Sequence, residues 1–198
     1  MTTVVSPEPV QVAPTGIAAR RVANTNAVTT QFFGDHADAI ARTCQAMAAR
    51  FDLGGRLLVC GDDAQRSDVA HVVVEFMHPV VVGKRALPAL SLPSIASGAA
   101  QHALTVVGHE HDMLVLLTSR ALSSTANALL ASAQSAGVMT IALTGGSTSG
   151  MARTADQPLF AVPSPDACIV QEAHEMLYHV LWELVHVFFD HRTPGRGS

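Results

Sequence analysis

The sequence predicts an α/β domain in which helices cover both faces of a parallel sheet. Short apolar runs alternate along the chain with longer segments whose apolar residues recur every three or four positions. The runs near Gly61 and Gly145 end in glycine, as buried parallel strands do before a turn. The chain has 198 residues, of which 48% are hydrophobic and 14% charged, and this is the length of one domain.

The first helix is predicted from about Thr30 to Arg50, where apolar residues recur at spacings of three and four. Residues 1–28 are expected to form a mobile tail, because prolines break any helix there and no amphipathic period is present. The glycine-containing residues 191–198 are expected to form a second tail. The domain is therefore predicted at residues 29–190, and another subunit is a candidate partner for its first helix.

The remaining elements alternate between apolar strands and helices. Gly54 and Gly55 interrupt the chain before the first strand, and Ser123 suits the start of a helix. The predicted elements are a strand at 56–61, a helix at 65–77, a strand at 87–92, a weak helix or loop at 97–106, a strand at 113–117, a helix at 123–136, strands at 139–143 and 159–162, and a last helix at 166–189. Parallel strands joined in this way place helices on both faces of the sheet.

The composition argues against nucleic acid and membranes as partners. Lys and Arg number 12 against 16 Asp and Glu, and no basic run is longer than Lys84–Arg85. The apolar runs are shorter than a membrane span and no secretion signal is present, so a cytoplasmic protein is expected. The 3 cysteines form no CxxC pair, which argues against disulfides and a cysteine zinc site. The charged fraction is low for a domain surface, so a homo-oligomer is expected.

Four segments of the chain match, in order and spacing, the pattern of a known family. They are Gly55–Gly61 followed by Asp68, His71 and Glu75; Arg85–Leu90; Ala136–Gly145; and Val170–His174. The sequence thereby resembles the sugar isomerase (SIS) domain family, and within it the phosphoheptose isomerase branch. The resemblance implies a three-layer αβα sandwich with a five-stranded parallel sheet, similar to flavodoxin. It also implies a homotetramer with the first and last helices in a bundle and active sites at subunit boundaries.

The resemblance further implies a reaction and its residues. In that family an aldose–ketose isomerisation acts on a small phosphosugar, sedoheptulose 7-phosphate. Carried over by position, the catalytic base is Glu75 and the acid/base histidine is His179. Some members bind zinc through the positions of His71, Glu75, Gln171 and His179, so zinc is an expected cofactor.

The spacing of these residues agrees with a common site. His71 and Glu75 are four apart on a predicted helix and so share a face. Gln171 and His179 are eight apart on the last helix, about 80 degrees apart around its axis. Two imidazoles, a carboxylate and an amide oxygen suit zinc, and a carboxylate with an imidazole suits proton transfer through an enediol. The alternative is a helix-surface pair at His71 and Glu75 and a packed core residue at His179.

The predicted phosphate-binding loops depart from the family pattern. Asp62 and Asp63 stand where the family has asparagine and glycine, and Gln65 stands at its phosphate serine. The predicted substrate-binding residues are Gln65, Thr118, Ser119, Arg120 and Ser123. Arg120 either binds phosphate or forms an ion pair with Asp62 or Asp63. We expect the ion pair, because two adjacent carboxylates in a partly buried turn need a cation.

Two further departures concern the wall of the sugar site. The family's arginine four residues after the catalytic glutamate is Pro79 here, and a segment that usually follows the second strand is missing between Leu92 and His109. The sequence therefore leaves two functions open. One is a divergent phosphosugar isomerase, which the four retained active-site positions favour. The other is a catalytically silent SIS-domain protein that senses a sugar phosphate or serves as an oligomeric scaffold, which the altered loops favour.

Overall fold

Five strands and the helices between them follow one another along the chain. The computed structural model describes residues 14–79, 81–146 and 157–192. The helices are α1 (Pro14–Asp52), α2 (Arg66–Met77), α3 (Ala99–Val107), α4 (Ser124–Ser135) and α5 (Ala167–Arg192), and the strands are β1 (Leu57–Gly61), β2 (Ala89–Ser91), β3 (Met113–Leu117), β4 (Met139–Gly145) and β5 (Leu159–Val162). Short 3-10 turns precede α2 and α3.

The sheet has the strand order β2-β1-β3-β4-β5, and every neighbouring pair is parallel. The chain passes from β1 outward to β2 and then returns to β3 on the other side of β1. Open parallel sheets bind ligands outside the carboxyl ends of their strands, at the point where the strand order reverses in this way. The pairing of Gly61 with Leu117 brings the loops after β1 and β3 together at that point.

Alternate strand residues are buried against two separate helix layers. Leu57 and Val59 belong to a core that they share with residues of α1, α2 and α5. Leu58 and Cys60 belong to a second core, shared with residues of α3 and α4. The strands read as uninterrupted apolar runs because both of their faces are covered. The predicted three-layer sandwich with a five-stranded parallel sheet is confirmed.

Helix α1 begins at Pro14 and not near Thr30, so the prediction of a mobile tail was wrong for residues 14–28. Proline is compatible with the first turn of a helix, where its missing N–H would have no intrahelical partner in any case. The rest of that predicted tail, residues 1–13, lies outside the described residues.

The early turns of α1 are attached to α5 by polar contacts. Two guanidinium nitrogens of Arg21 lie 2.5 Å from Asp166 Oδ2 and 3.0 Å from Glu172 Oε1. The Thr25 hydroxyl donates to Glu172 Oε2 at 2.8 Å. These contacts lower the pKa of the Glu172 carboxyl, first through the hydrogen bond from Thr25 and then through Arg21. Because the attachment is polar, this part of α1 lacks the apolar period by which the sequence reveals a helix.

Helix α5 is buried along much of its length. Leu181, Trp182 and Val185 are 1%, 6% and 0% exposed, as expected for residues at the centre of a helix layer. The helix runs to Arg192, so residues 191 and 192 of the predicted C-terminal tail are helical, and residues 193–198 lie outside the described residues. Among the helices that the structure describes, none is long and apolar enough to cross a membrane.

A buried carboxylate holds the amino ends of β1 and β3 together. Asp112 is 1% exposed and accepts hydrogen bonds from N, Nε and Nη2 of Arg56 at 2.8, 3.2 and 2.7 Å. It also accepts from the backbone N–H of His109 at 3.0 Å. These donors offset the cost of burying a charge. They stabilise the end of the sheet that lies opposite the predicted phosphate loops.

Candidate active site

Side chains of α2 and α5 meet in one cluster. Helix α2 contributes His71 and Glu75, and α5 contributes Glu175, Tyr178 and His179. Spacings of three and four residues place each set on one face of its helix. The packing of α2 on α5 therefore determines the geometry of the cluster.

His71, Glu75 and His179 lie within reach of one another. Nε2 of His71 is 3.4 Å from Nε2 of His179, which is 4.0 Å from Oε2 of Glu75. The Glu75 side chain is 14% exposed and that of His179 is 42% exposed, so the carboxylate is the more enclosed of the two. The structure brings together three of the four positions named from the sequence. Their roles in catalysis and metal binding stay predictions.

The fourth position, Gln171, is bound to a carboxylate. Its amide nitrogen lies 3.1 Å from both Oδ1 and Oδ2 of Asp68. Asp68 is 5% exposed, and burial raises the pKa of its carboxyl, while the hydrogen bond from Gln171 opposes that rise. This contact holds the amide group of Gln171, a residue of α5, against Asp68 of α2. Within the described residues, the side chain of Gln171 is hydrogen-bonded to Asp68 and to neither His71 nor His179.

Tyr178 is a residue of this cluster that sequence reasoning missed. It is 1% exposed, and its hydroxyl lies 2.8 Å from Nδ1 of His71. Burial, followed by the carboxylates of Glu175, Asp68 and Glu75, raises the pKa of Tyr178 well above its usual value, so the hydroxyl keeps its proton and is able either to donate to His71 or to accept from it. Where the hydroxyl donates, a neutral His71 accepts at Nδ1 and carries its proton at Nε2, the nitrogen that faces His179.

The cluster offers donors that fit a divalent transition metal. His71, Glu175 and His179 each supply one ligand atom, and these atoms lie within 4.8 Å of one another. Two imidazole nitrogens and a carboxylate oxygen are a donor set that zinc accepts. The carboxylate that lies within this distance of both histidines is therefore that of Glu175. The sequence reasoning did not select this residue. Its spacing of four from both Gln171 and His179 was the available signal.

The loop after β1 is closed by partners other than Arg120. Asp62 Oδ1 accepts the N–H of Ala64 at 3.0 Å and so caps the 3-10 turn, and Asp63 Oδ1 lies 3.5 Å from Nη2 of Arg66. Arg120 is exposed and forms no ion pair with either aspartate in the part of the chain that the structure describes. The expected Arg120 ion pair was therefore wrong, because a backbone N–H and an arginine one turn away satisfy these carboxylates first.

The remaining predicted substrate residues lie in the loops after β1 and β3. Thr118 Oγ1 accepts the N–H of Arg120 and donates to its carbonyl oxygen, which shapes the second loop. Ser123 Oγ caps α4 by accepting the N–H of Ala126 at 3.1 Å. Ser119 is half-buried. Gln65 is 3% exposed, and its Oε1 has no hydrogen-bond partner among the described residues.

Two cavities border this region. One of about 300 Å³ lies where β1 and β2 end, and its wall includes Asp62, Asp63 and Arg66. The other, of about 370 Å³, is lined by Glu75 and His179. The second cavity therefore gives a small molecule access to both members of the predicted acid–base pair.

Sequence comparisons find phosphoheptose isomerases among the relatives of this chain. No family model matches the chain. A phosphoheptose isomerase from Solidesulfovibrio magneticus is 28% identical over 88% of this chain and 91% of its own length. A phosphoheptose isomerase from Chlorobium phaeovibrioides is 33% identical over 79% of this chain and 80% of its own length.

Solved structures show the same fold. A phosphoheptose isomerase from Francisella tularensis superposes with a TM-score of 0.77 at 21% identity, covering 89% of this chain and 100% of its own. A phosphoheptose isomerase from Neisseria gonorrhoeae has a TM-score of 0.74 at 20% identity and covers 87% of this chain and 98% of its own. Together with the 33% identity to the Chlorobium protein across most of both chains, these likenesses show that the chain belongs to the phosphoheptose isomerase family of SIS-domain proteins.

Proposed function

We propose that this protein is a phosphosugar isomerase that interconverts aldose and ketose forms of a substrate such as sedoheptulose 7-phosphate. The observation that supports this function best is the pairing of a carboxylate and an imidazole, Glu75 and His179, 4.0 Å apart on the wall of one cavity. The family to which the chain belongs supports the same class of reaction.

The reaction needs proton transfers at two carbons and at two oxygens, and these groups are suited to make them. A base removes the proton from the hydroxyl-bearing carbon next to the carbonyl, and the carbonyl oxygen gains a proton, which gives an enediol. Returning a proton to the other carbon and removing one from the other oxygen completes the isomerisation with no net gain or loss of atoms. We assign the carbon-bound proton to Glu75 and the oxygen-bound protons to His179.

His71 and Tyr178 hold this pair in position. The hydroxyl of Tyr178 donates to Nδ1 of His71, and Nε2 of His71 then donates toward Nε2 of His179. An imidazole that accepts at Nε2 carries its own proton at Nδ1. We therefore propose that Tyr178 and His71 are positioning residues that set the tautomer of His179.

Zinc is the cofactor that we propose for this cluster. His71 and His179 would hold it together with the carboxylate of Glu175 or Glu75. A ligating ring nitrogen carries no proton, so zinc would replace the hydrogen bond between His71 and His179 that we propose for the metal-free protein. When bound, such an ion polarises carbonyl and hydroxyl oxygens of a substrate.

Phosphate binding is proposed for the loop after β3. Arg120 is exposed beside the amino end of α4, and backbone N–H groups at a helix start favour an anion. Ser119, with Thr118 and Ser123 on either side of it, provides hydroxyl groups near that end of the helix. Gln65 of the neighbouring loop has an Oε1 without a hydrogen-bond partner among the described residues, an acceptor that suits a substrate hydroxyl and not a phosphate oxygen. The exposed guanidinium thus offsets the glycines that the first loop lacks.

Turnover of sedoheptulose 7-phosphate by purified protein tests the proposal. Glu75→Gln and His179→Asn are each expected to lower kcat by about 10²- to 10⁴-fold, the range for losing a general acid or base. Glu110→Gln is the matched control, because this glutamate has a 71% exposed side chain and does not line the cavity. Binding of the sugar phosphate without conversion by the wild-type protein would contradict the proposal and support a silent sensor instead.

A further inference from the structure

The cavity beside the acid–base pair is large enough to hold a sugar. Its volume of about 370 Å³ lies within the usual range for small-molecule sites, about 300–1,000 Å³. It lies between the end of α2, the segment that follows α2, and α5. Its wall comprises Glu75, Val81, Lys84, His179, Trp182, Glu183, His186 and Val187.

Lys84 is the single lysine of the chain, and it lines this cavity. Its Nζ lies 2.7 Å from Oδ2 of Asp190, and its side chain is 28% exposed. The hydrogen bond from Lys84 lowers the pKa of the Asp190 carboxyl, which keeps the carboxylate charged and the pair intact. An ammonium group has three N–H donors, so the contact with Asp190 leaves others for a ligand.

The segment that carries Lys84 is fixed against the two helices. His186 is 3% exposed, and its Nδ1 and Nε2 lie 2.9 Å from the carbonyl oxygen of Trp182 and 3.1 Å from that of Arg85. The N–H of Leu87 donates to the carbonyl oxygen of Phe76 at 2.8 Å. Hydrogen bonds to α5 and to α2 thus hold the segment that carries Lys84 at the cavity wall.

Trp182 is the single tryptophan of the chain, and it lines the same cavity. It is 6% exposed, and its indole N–H has no hydrogen-bond partner in the part of the chain that the structure describes. A buried tryptophan N–H usually finds a partner. The nitrogen itself has almost no accessible surface, so the indole contributes its ring, and not its N–H, to the cavity wall.

We propose that this cavity binds the polyhydroxyl and carbonyl part of a sugar phosphate, with Lys84 as a substrate-binding residue and the ring of Trp182 as part of the wall. This inference rests on the proposed isomerase function and assigns its sugar subsite. Because the carboxylates of Glu75 and Glu183 line the same wall, the cavity suits hydroxyl and carbonyl oxygens and would repel a phosphate dianion.

The fluorescence of the single tryptophan reports on the cavity in the unmodified full chain. Titration with sedoheptulose 7-phosphate is expected to change Trp182 emission in a saturable way, and inorganic phosphate alone is expected to leave it unchanged. Lys84, once reductively methylated with ¹³C-formaldehyde, gives a side-chain NMR signal that should shift over the same range of sugar-phosphate concentration. A change with inorganic phosphate of the same size would overturn the assignment of the polyhydroxyl part to this cavity.

Variants separate binding from folding. Lys84→Met is expected to raise KM about tenfold or more with a smaller change in kcat, because a charged hydrogen bond to the substrate is lost. Lys84→Arg should restore part of the affinity, and Arg42→Met, at an exposed position of α1, is the matched control. Trp182→Phe keeps an aromatic ring in the wall and should leave KM nearly unchanged, and thermal unfolding of each variant reports whether the fold is retained.

The outcomes for the subsite and for the isomerase function can be told apart. If the wild-type protein converts the sugar phosphate while the Trp182 and Lys84 signals stay constant and Lys84→Met keeps its KM, the subsite is wrong and the isomerase function stands. If both signals respond without conversion, the subsite stands and the isomerase function fails. If neither signal responds and nothing is converted, both are overturned.

Discussion

Replacing Tyr178 with phenylalanine removes one hydroxyl group and leaves the buried ring in place. The lost contact is the 2.8 Å hydrogen bond to Nδ1 of His71. A hydrogen bond of this kind contributes about 0.5–1.5 kcal/mol to the free energy of unfolding. The His71 side chain is 40% exposed, so water can replace the hydroxyl at Nδ1. We therefore expect a loss of about 1 kcal/mol, or about 2–4 °C in Tm for a chain of this size.

The same variant should reduce function more than stability. Without the hydroxyl at Nδ1, His71 loses its fixed tautomer, and the Glu175 carboxylate lies 3.8 Å from that nitrogen. Loss of a group that orients an active-site histidine typically costs about 10- to 100-fold in activity or metal affinity. We expect a loss of kcat in that range and a shift in the ¹⁵N resonances of the His71 ring in the metal-free protein.

Chemical denaturation, isomerase kinetics and histidine NMR together test this prediction. Met176→Leu serves as the control, because Met176 is 47% exposed on the same helix and makes no recorded polar contact in the cluster. An unchanged His71 tautomer together with unchanged kcat would show that the hydroxyl has no positioning role. A loss of more than about 3 kcal/mol would show that ring packing, and not the hydrogen bond, is what the substitution disturbs.

Three further predictions concern stability and assembly. Asp112→Asn should lower the free energy of unfolding by about 1–3 kcal/mol in urea denaturation, since it weakens the buried contacts to Arg56; an unchanged midpoint would contradict this. Burial lowers the pKa of His174 to about 4. As the pH drops, the imidazole is therefore protonated in the unfolded state before it is protonated in the folded state. The free energy of unfolding should fall by about 3 kcal/mol between about pH 6.5 and about pH 4. His174→Leu should flatten that dependence, and equal pH profiles would refute the assignment. Light scattering should give a tetramer, consistent with exposed apolar residues such as Val74 and Met176, and a monomer at micromolar concentration would contradict it.

The parts of the fold that could be predicted are those with a continuous apolar pattern. Strands β3 and β5 have the predicted bounds, Met113–Leu117 and Leu159–Val162, because both strands bury consecutive residues. The start of α1 could not be predicted in this way. Its first turns contact α5 through Arg21 and Thr25, and polar contacts between distant segments leave no periodic signal.

Site residues could be predicted where their arrangement depends on the spacing within one helix. They could not be predicted where their arrangement depends on how two helices pack. The spacing of His71 and Glu75 places both on one face whatever α2 packs against. The contact of Tyr178 with His71 depends instead on how α5 lies across α2, which no local pattern specifies. The Arg120 prediction failed for a related reason: Arg66 is one turn from Asp63, and a local partner needs less ordering of the chain than a distant one.

Proton exchange with solvent is the most direct test of the proposed acid–base pair. Isomerisation through an enediol removes a carbon-bound proton, so turnover of sedoheptulose 7-phosphate in D₂O should place deuterium on the carbon next to the carbonyl. The wild-type protein, with zinc supplied, is expected to form aldoheptose phosphate that carries this deuterium, and Glu75→Gln is expected to form neither product nor labelled substrate at a measurable rate. Folded wild-type protein that yields no deuterated sugar, or a Glu75→Gln variant that exchanges as fast as wild type, would contradict the assignment of Glu75 as the base.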